Sequence, residues 1–226
     1  GVRLAITWPE IYQMQAKAMF KAQQAVVAQG GKMPMLEIMV PFIICEAELI
    51  QLKRDIATIA DKIISDSFTP SYLFGTMIEL PRAALMANQL ATNADFFSFG
   101  TNDLTQSCMG MSRDDSSRFL AAYQQNNLII DDPFVVFDRE GVGQLVSIAT
   151  ERGRSTNTRL KLGICGEHGG HPSGIEFAEE LKLDYVSCSP FRIPVARLSA
   201  AQAAIKATAA TSTQVTNVEQ NKHFAL

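Results

Sequence analysis

The chain has 226 residues, 47% of them hydrophobic and 19% charged, with a formal net charge of -3, the make-up of a globular α/β domain with material for one large core. Acidic and basic residues are interspersed, so the footprint of a nucleic-acid binder is absent, while small anionic metabolites stay open as partners. Cys45, Cys108, Cys165 and Cys188 lack C-x-x-C spacing, which argues against a zinc site or a disulfide framework and for a reducing compartment; no apolar run reaches the roughly 20 residues a membrane helix needs, so a soluble protein is expected.

Gly1 in place of Met, with an opening that reads like the end of a strand, suggests that the natural polypeptide extends upstream. Pro9 then starts a helical pattern that stops at Gly30-Gly31, Pro inside the first turn and Gly past the last. An apolar run over 35–42 (MLEIMVPF) predicts a strand, and helical periodicity follows over 46–65. The order repeats: strand over 72–80, helix over 81–92, and a strand over 95–100 (DFFSFG) with no polar alternation, as in a fully buried parallel sheet. Residues 104–137 form a long connection with a short helix at 114–125 and an acidic segment, Asp131-Asp132-Pro133; barrel loops usually take about 2 to 6 residues, so a lid or interface element is expected there. Further strands are predicted over 160–166 and 185–189, with helices over 141–152, 173–181 and 194–207.

Alternating strands and helices imply a parallel sheet, and the spacing implies a (β/α)8 TIM-type barrel. Only about five strands are present, so the N-terminal strands of the barrel are expected to be missing from this chain. Residues 1–207 make up the barrel domain, and the polar stretch 208–226 reads as a flexible C-terminal tail.

In such a barrel the chemistry sits where strands end at their carboxyl side. Glu79 closes one strand, Gly100-Thr101-Asn102-Asp103 follows another, and Cys165-Gly166-Glu167-His168-Gly169-Gly170 a third. Two carboxylates there, without Lys or Arg in either motif, repel unless a cation lies between them, and Mg2+ takes one or two carboxylates plus water and substrate oxygens. The alternative is a Glu79 that caps the next helix and an Asp103 in an Asx-turn. Successive N–H groups at 100–103 suit a phosphate or carboxylate. Cys165, beside glycines that let the backbone bend, can give or take a proton, although a free Cys is more often a small core residue. A Cys165–His168 nucleophile pair is disfavoured.

The runs Gly75-Thr76-Met77-Ile78-Glu79-Leu80-Pro81-Arg82, Phe96-Phe97-Ser98-Phe99-Gly100-Thr101-Asn102-Asp103 and Gly163-Ile164-Cys165-Gly166-Glu167-His168-Gly169-Gly170 closely resemble the pyruvate phosphate dikinase family, and so does Tyr185 to Arg192. The related phosphoenolpyruvate synthases share part of this pattern. The resemblance implies the carboxyl-terminal phosphoenolpyruvate/pyruvate barrel of a long, usually homodimeric transferase. In that family ATP, phosphate and pyruvate interconvert with AMP, diphosphate and phosphoenolpyruvate through a phosphohistidine carried by another domain. It further implies Glu79 and Asp103 as Mg2+ ligands, Glu79, Gly100, Thr101, Asn102 and Asp103 as substrate contacts, and Cys165 as proton donor. The cytoplasm is the expected location, with glycosome or chloroplast as alternatives. The family's phosphate-clamping arginines and its nucleotide-binding domain lie upstream of Gly1, so a catalytically silent dimerisation fragment is the competing reading. His171, Leu80 and Ile44-Cys45 depart from the family pattern outside the implied site.

Overall fold

A computed structural model describes the backbone of residues 1–223 and the side chains of residues 1–208. Among the described residues five strands, β1 (Leu36–Val40), β2 (Tyr72–Ile78), β3 (Phe96–Gly100), β4 (Lys161–Cys165) and β5 (Tyr185–Val186), lie side by side in chain order. Every pair is parallel. Helices α1 (Val2–Thr7) and α2 (Pro9–Ala28) precede β1, and α3 (Glu46–Asp61) joins β1 to β2. Next, α4 (Pro81–Leu85) and α5 (Ala87–Ala91) join β2 to β3, and α6 (Thr101–Met109), α7 (Ser117–Gln125) and α8 (Val142–Thr156) lie between β3 and β4. Finally α9 (Pro172–Glu180) leads to β5, and α10 (Ile193–His223) follows it. Strands added one by one in parallel, each followed by helix, form part of a TIM-type barrel wall.

The two faces of the sheet differ because side chains alternate along each strand. Phe74, Ile78, Phe97, Phe99, Leu162 and Ile164 are buried under the helices; the ring of Phe97, for instance, abuts Gly153 of α8. The opposite row holds Glu37, Gly75, Met77, Phe96, Ser98, Gly100, Lys161, Gly163 and Cys165, with Gly75 aligned on Phe96, Phe96 on Lys161 and Gly100 on Cys165. This inner face is concave. Lys161 Nζ on β4 meets Glu37 Oε1 on β1 at 2.6 Å, across three strand spacings that would measure about 14 Å in a flat sheet.

Four expectations need correction. The opening is a helix, α1, rather than the end of a strand: Val2 N–H donates to the Pro41 carbonyl at 3.0 Å, seating the helix on the end of β1, and Pro9 starts a new helix after Trp8. The helix predicted over 81–92 breaks in two at Met86, which has φ -105° and donates back to Arg82 and Ala83 in tight turns. The connection placed at 104–137 starts earlier and as regular structure, since Thr101–Met109 is helix α6, closed by Gly110 in the left-handed conformation. The closing helix, predicted to end at 207, runs on to His223, so residues 208–223 are helical in backbone; the Ala-rich stretch holds neither Gly nor Pro beyond Pro194 to stop it. Residues 224–226 of the expected tail lie outside the described residues.

Candidate active site

Glu79 immediately follows β2 on the inner row and is 1% exposed. It does not cap the helix at Pro81, whose N-terminus lacks a side-chain cap. Its Oε1 accepts instead from the backbone N–H of Phe42 at 2.7 Å, and Phe42 sits in the left-handed region at φ 65°, turning the chain just past β1. Burial pushes the carboxyl up to about 7; the Phe42 hydrogen bond opposes this, and the neighbouring Asp103 reinforces it. Glu79 Oε2 also packs so closely on Gly100 that an added Cβ there would lie 2.7 Å from it.

Asp103 lies in the first turn of α6 rather than in an Asx-turn, where its negative charge is favourable beside the helix N-terminus. Its Oδ1 accepts from Gln106 Nε2 at 2.9 Å. Gly100, Thr101 and Asn102 therefore do not form an open loop. Gly100 ends β3 and is the N-cap, and Thr101 and Asn102 are the first residues of α6, so the N–H groups that suit an anion are the unpaired donors of a helix start.

The strand end at Cys165 is stitched to this helix start. Thr101 Oγ1 lies 2.9 Å from the Cys165 carbonyl, and Glu167 N–H donates to Asn102 Oδ1 at 3.1 Å. Gly166 lies between, at φ +93°, and a Cβ there would meet Thr101 Oγ1 at 2.7 Å and Asn102 Oδ1 at 3.0 Å; both the left-handed backbone and the close approach demand glycine. His168 continues the stitching, fully buried, with Nδ1 2.8 Å from Thr101 Oγ1 and Nε2 2.9 Å from the Pro133 carbonyl. Both ring nitrogens are thus engaged, which removes the Cys165–His168 pair. His171 caps α9, its Nδ1 accepting from Ser173 N–H, as its place before Pro172 suggests.

Cys165 is half-buried, with Sγ 3.4 Å from the Phe99 carbonyl. Burial pushes the thiol up, a hydrogen bond from Ser98 pulls it down, and the charges of Glu79 and Asp103 push it up again. Ser98 also lowers the phenol of Tyr185, against burial, the larger effect, which raises it. Tyr185 lies flat against Gly163, at 2.1 Å from where a Cβ would stand. Sequence reasoning missed Ser98 and Tyr185. Ser98 had a signal, as the one polar residue in the buried FFSFG strand; Tyr185 had none, since only the sheet register brings it beside Cys165.

Glu79, Asp103 and Cys165 therefore meet at one end of the concave face, where the charge of Asp103 raises the Glu79 pKa and both acids raise that of the Cys165 thiol. Among the described residues no group of three or more His, Cys, Asp or Glu is placed to hold a metal. Two carboxylates suit Mg2+, which takes its remaining ligands from water and substrate; the repulsion between Glu79 and Asp103, which helps to raise the Glu79 pKa, fits such an ion. A cavity of about 540 Å3 lies beside this rim, lined by residues including Arg113, Phe134, Glu167 and Arg192. Among the described residues no helix is long and apolar enough to cross a membrane.

Residues 1–205 match the family described as PEP-utilising enzyme, PEP-binding domain. A pyruvate, phosphate dikinase of Rhizobium meliloti (strain 1021) is 58% identical over 91% of this chain and 23% of its own length. A chloroplastic pyruvate, phosphate dikinase of Mesembryanthemum crystallinum is 53% identical over 89% of this chain and 21% of its own length. The chain thus spans about a quarter or less of these relatives. In fold it is similar to a citrate lyase from Burkholderia xenovorans LB400, with a TM-score of 0.50 at 13% identity over 79% of this chain and 55% of that one. With its barrel-ordered sheet and the match over residues 1–205, the chain belongs to the PEP-utilising enzyme family, as its PEP-binding domain.

Proposed function

We propose that this chain supplies the phosphoenolpyruvate/pyruvate half-site of a pyruvate phosphate dikinase, which interconverts ATP, phosphate and pyruvate with AMP, diphosphate and phosphoenolpyruvate. The observation that carries this reading is the convergence of Glu79, Asp103 and Cys165 at the carboxyl ends of β2, β3 and β4. Glu79 and Asp103 would hold Mg2+, which when bound neutralises the negative oxygen of pyruvate enolate. Gly100, Thr101 and Asn102 at the start of α6 present backbone N–H groups to the substrate carboxylate.

Loss of the phosphoryl group from phosphoenolpyruvate leaves an enolate whose methylene carbon needs a proton. Cys165 gives it from Sγ; in reverse the thiolate takes a proton from the methyl group of pyruvate. A raised thiol pKa keeps Cys165 protonated until the enolate forms, and Ser98 with Tyr185 orients the sulfur. The phosphoryl group would travel on a histidine of another domain of the full-length protein. Phe191 and Leu198, exposed by 94% and 61% beside and on α10, favour a homodimer.

The test is Cys165→Ala in the full-length protein. Turnover and exchange of pyruvate methyl protons with solvent should be lost while the carrier histidine is still phosphorylated; retained exchange refutes the proton-donor role. Dependence on phosphate rather than water as cosubstrate separates a dikinase from a phosphoenolpyruvate synthase.

A further inference from the structure

The proposed reaction leaves His168 without a part, although it has no solvent exposure and bridges three segments. Its Nε2 lies 2.9 Å from the Pro133 carbonyl and its Nδ1 2.8 Å from Thr101 Oγ1; Thr101 Oγ1 in turn lies 2.9 Å from the Cys165 carbonyl. The ring is wedged edge-on against Phe137 at 5.4 Å. Pro133 and Phe137 belong to the long connection between β3 and β4, Thr101 to the start of α6, and Cys165 to the end of β4.

The hydrogens along this path do not add up. The two carbonyls can only accept, so three filled contacts need three hydrogens, whereas a neutral imidazole and one hydroxyl bring two. An imidazolium would bring the third, but burial disfavours its charge. One contact must therefore go without. If Nε2 carries the hydrogen, Pro133 is held, the Thr101 hydroxyl donates to Nδ1, and the Cys165 carbonyl loses that donor. If Nδ1 carries it, Thr101 is free to donate to Cys165, but the Nε2 lone pair then faces the Pro133 oxygen, which is repulsive.

We propose that His168 is a positioning residue whose tautomer passes the seating of the Pro133 segment on to the strand end that carries Cys165. With Pro133 seated, the Nε2–H form is selected and the Cys165 carbonyl is released from Thr101. With Pro133 withdrawn, Nε2 gives its proton to water, Nδ1 takes one from water, and the Thr101 hydroxyl rotates back onto Cys165. The ring stays neutral throughout. Thr101 also opens the helix start proposed to face the substrate, so one buried ring ties the long connection to both halves of the site. This rests on the reading of Cys165 as proton donor.

The test uses the full-length protein labelled with 15N-histidine. Ring-nitrogen NMR, with the His168 signal identified by its loss in His168→Asn, should show the neutral Nε2–H form; an Nδ1–H form or an imidazolium at neutral pH overturns the proposal. Solvent exchange of pyruvate methyl protons with Mg2+ present is the second readout. His168→Asn and Thr101→Val should each slow it about tenfold, the worth of one well-placed hydrogen bond, and the double variant should be no slower than either. Thr101→Ser, which keeps the hydroxyl, should restore exchange. Additive losses, or failure of the serine to rescue, overturn the coupling. Wild-type exchange in Cys165→Ala would instead sink the proton-donor reading, and the ring NMR would still decide the tautomer.

Discussion

The two ends of the concave face treat negative charge in opposite ways. At the amino end of the strands Glu37 is met by Lys161, whose ammonium also lies 4.9 Å from the Tyr185 ring centroid, so the acid has a cation of its own. At the carboxyl end Glu79 accepts from the Phe42 N–H and faces another acid, Asp103, and it is far more buried. A fold gains nothing from two acids pressed together without a cation. Uncompensated charge therefore marks the working end of the barrel, and compensated charge the end that only holds it together.

Removing the acids at the working end should have the largest effect. Glu79→Gln, or Asp103→Asn, is expected to abolish Mg2+-dependent binding of the enolate analogue oxalate by the full-length protein, read by calorimetry; unchanged binding would separate these residues from the metal. Glu79 also predicts a pH dependence of stability. Its folded pKa of about 7 lies above its ordinary 4.5, so the folded state binds more protons between these values. Stability should be full below about pH 4.5 and fall as pH rises towards 7, by about 2–3 kcal/mol if Glu79 carries the whole shift. In Glu79→Gln that loss should vanish from chemical denaturation, and Mg2+ should reduce it in the wild type.

Gly166→Ala should come next. It forces an L side chain into φ +93° and onto Thr101 and Asn102, a strain of about 1–3 kcal/mol; thermal unfolding and oxalate affinity should both report it. Tyr185→Phe removes a hydroxyl that shares Ser98 with Cys165 and should slow pyruvate proton exchange by about tenfold, in line with one lost hydrogen bond, with stability nearly unchanged. The smallest effect belongs to the amino end. Lys161→Met breaks a pair whose side chains are 37% and 35% exposed, and a cost below about 1 kcal/mol is expected. A larger loss of activity there than at Tyr185 would overturn the contrast between the two ends.

The strand-then-helix order and the residues at the strand ends were legible because each is a local property. An apolar run of five to seven residues bounded by turns reads the same wherever it folds, and Glu79, Asp103 and Cys165 stand just beyond such runs. The opening helix was not legible: what settles it is the docking of Val2 onto Pro41, 39 residues away. Asp103 was misplaced in a turn because Gly100-Thr101-Asn102-Asp103 has turn composition, although the helix that starts there packs against α8. Ser98 and Tyr185 escaped for a related reason: they stand within strands, and only the sheet register brings them beside Cys165.

By itself the sequence determined an α/β chain with parallel strands in barrel order and the three strand ends that carry acids and a thiol, since alternation, glycine and proline act over a few residues. Only the tertiary structure decided that Glu79 is buried against Asp103, that Ser98 and Tyr185 flank the Cys165 thiol, and that His168 bonds to Thr101 and Pro133 rather than to the cysteine. Burial, register and the sharing of hydrogens depend on which segments meet, and these segments are tens of residues apart.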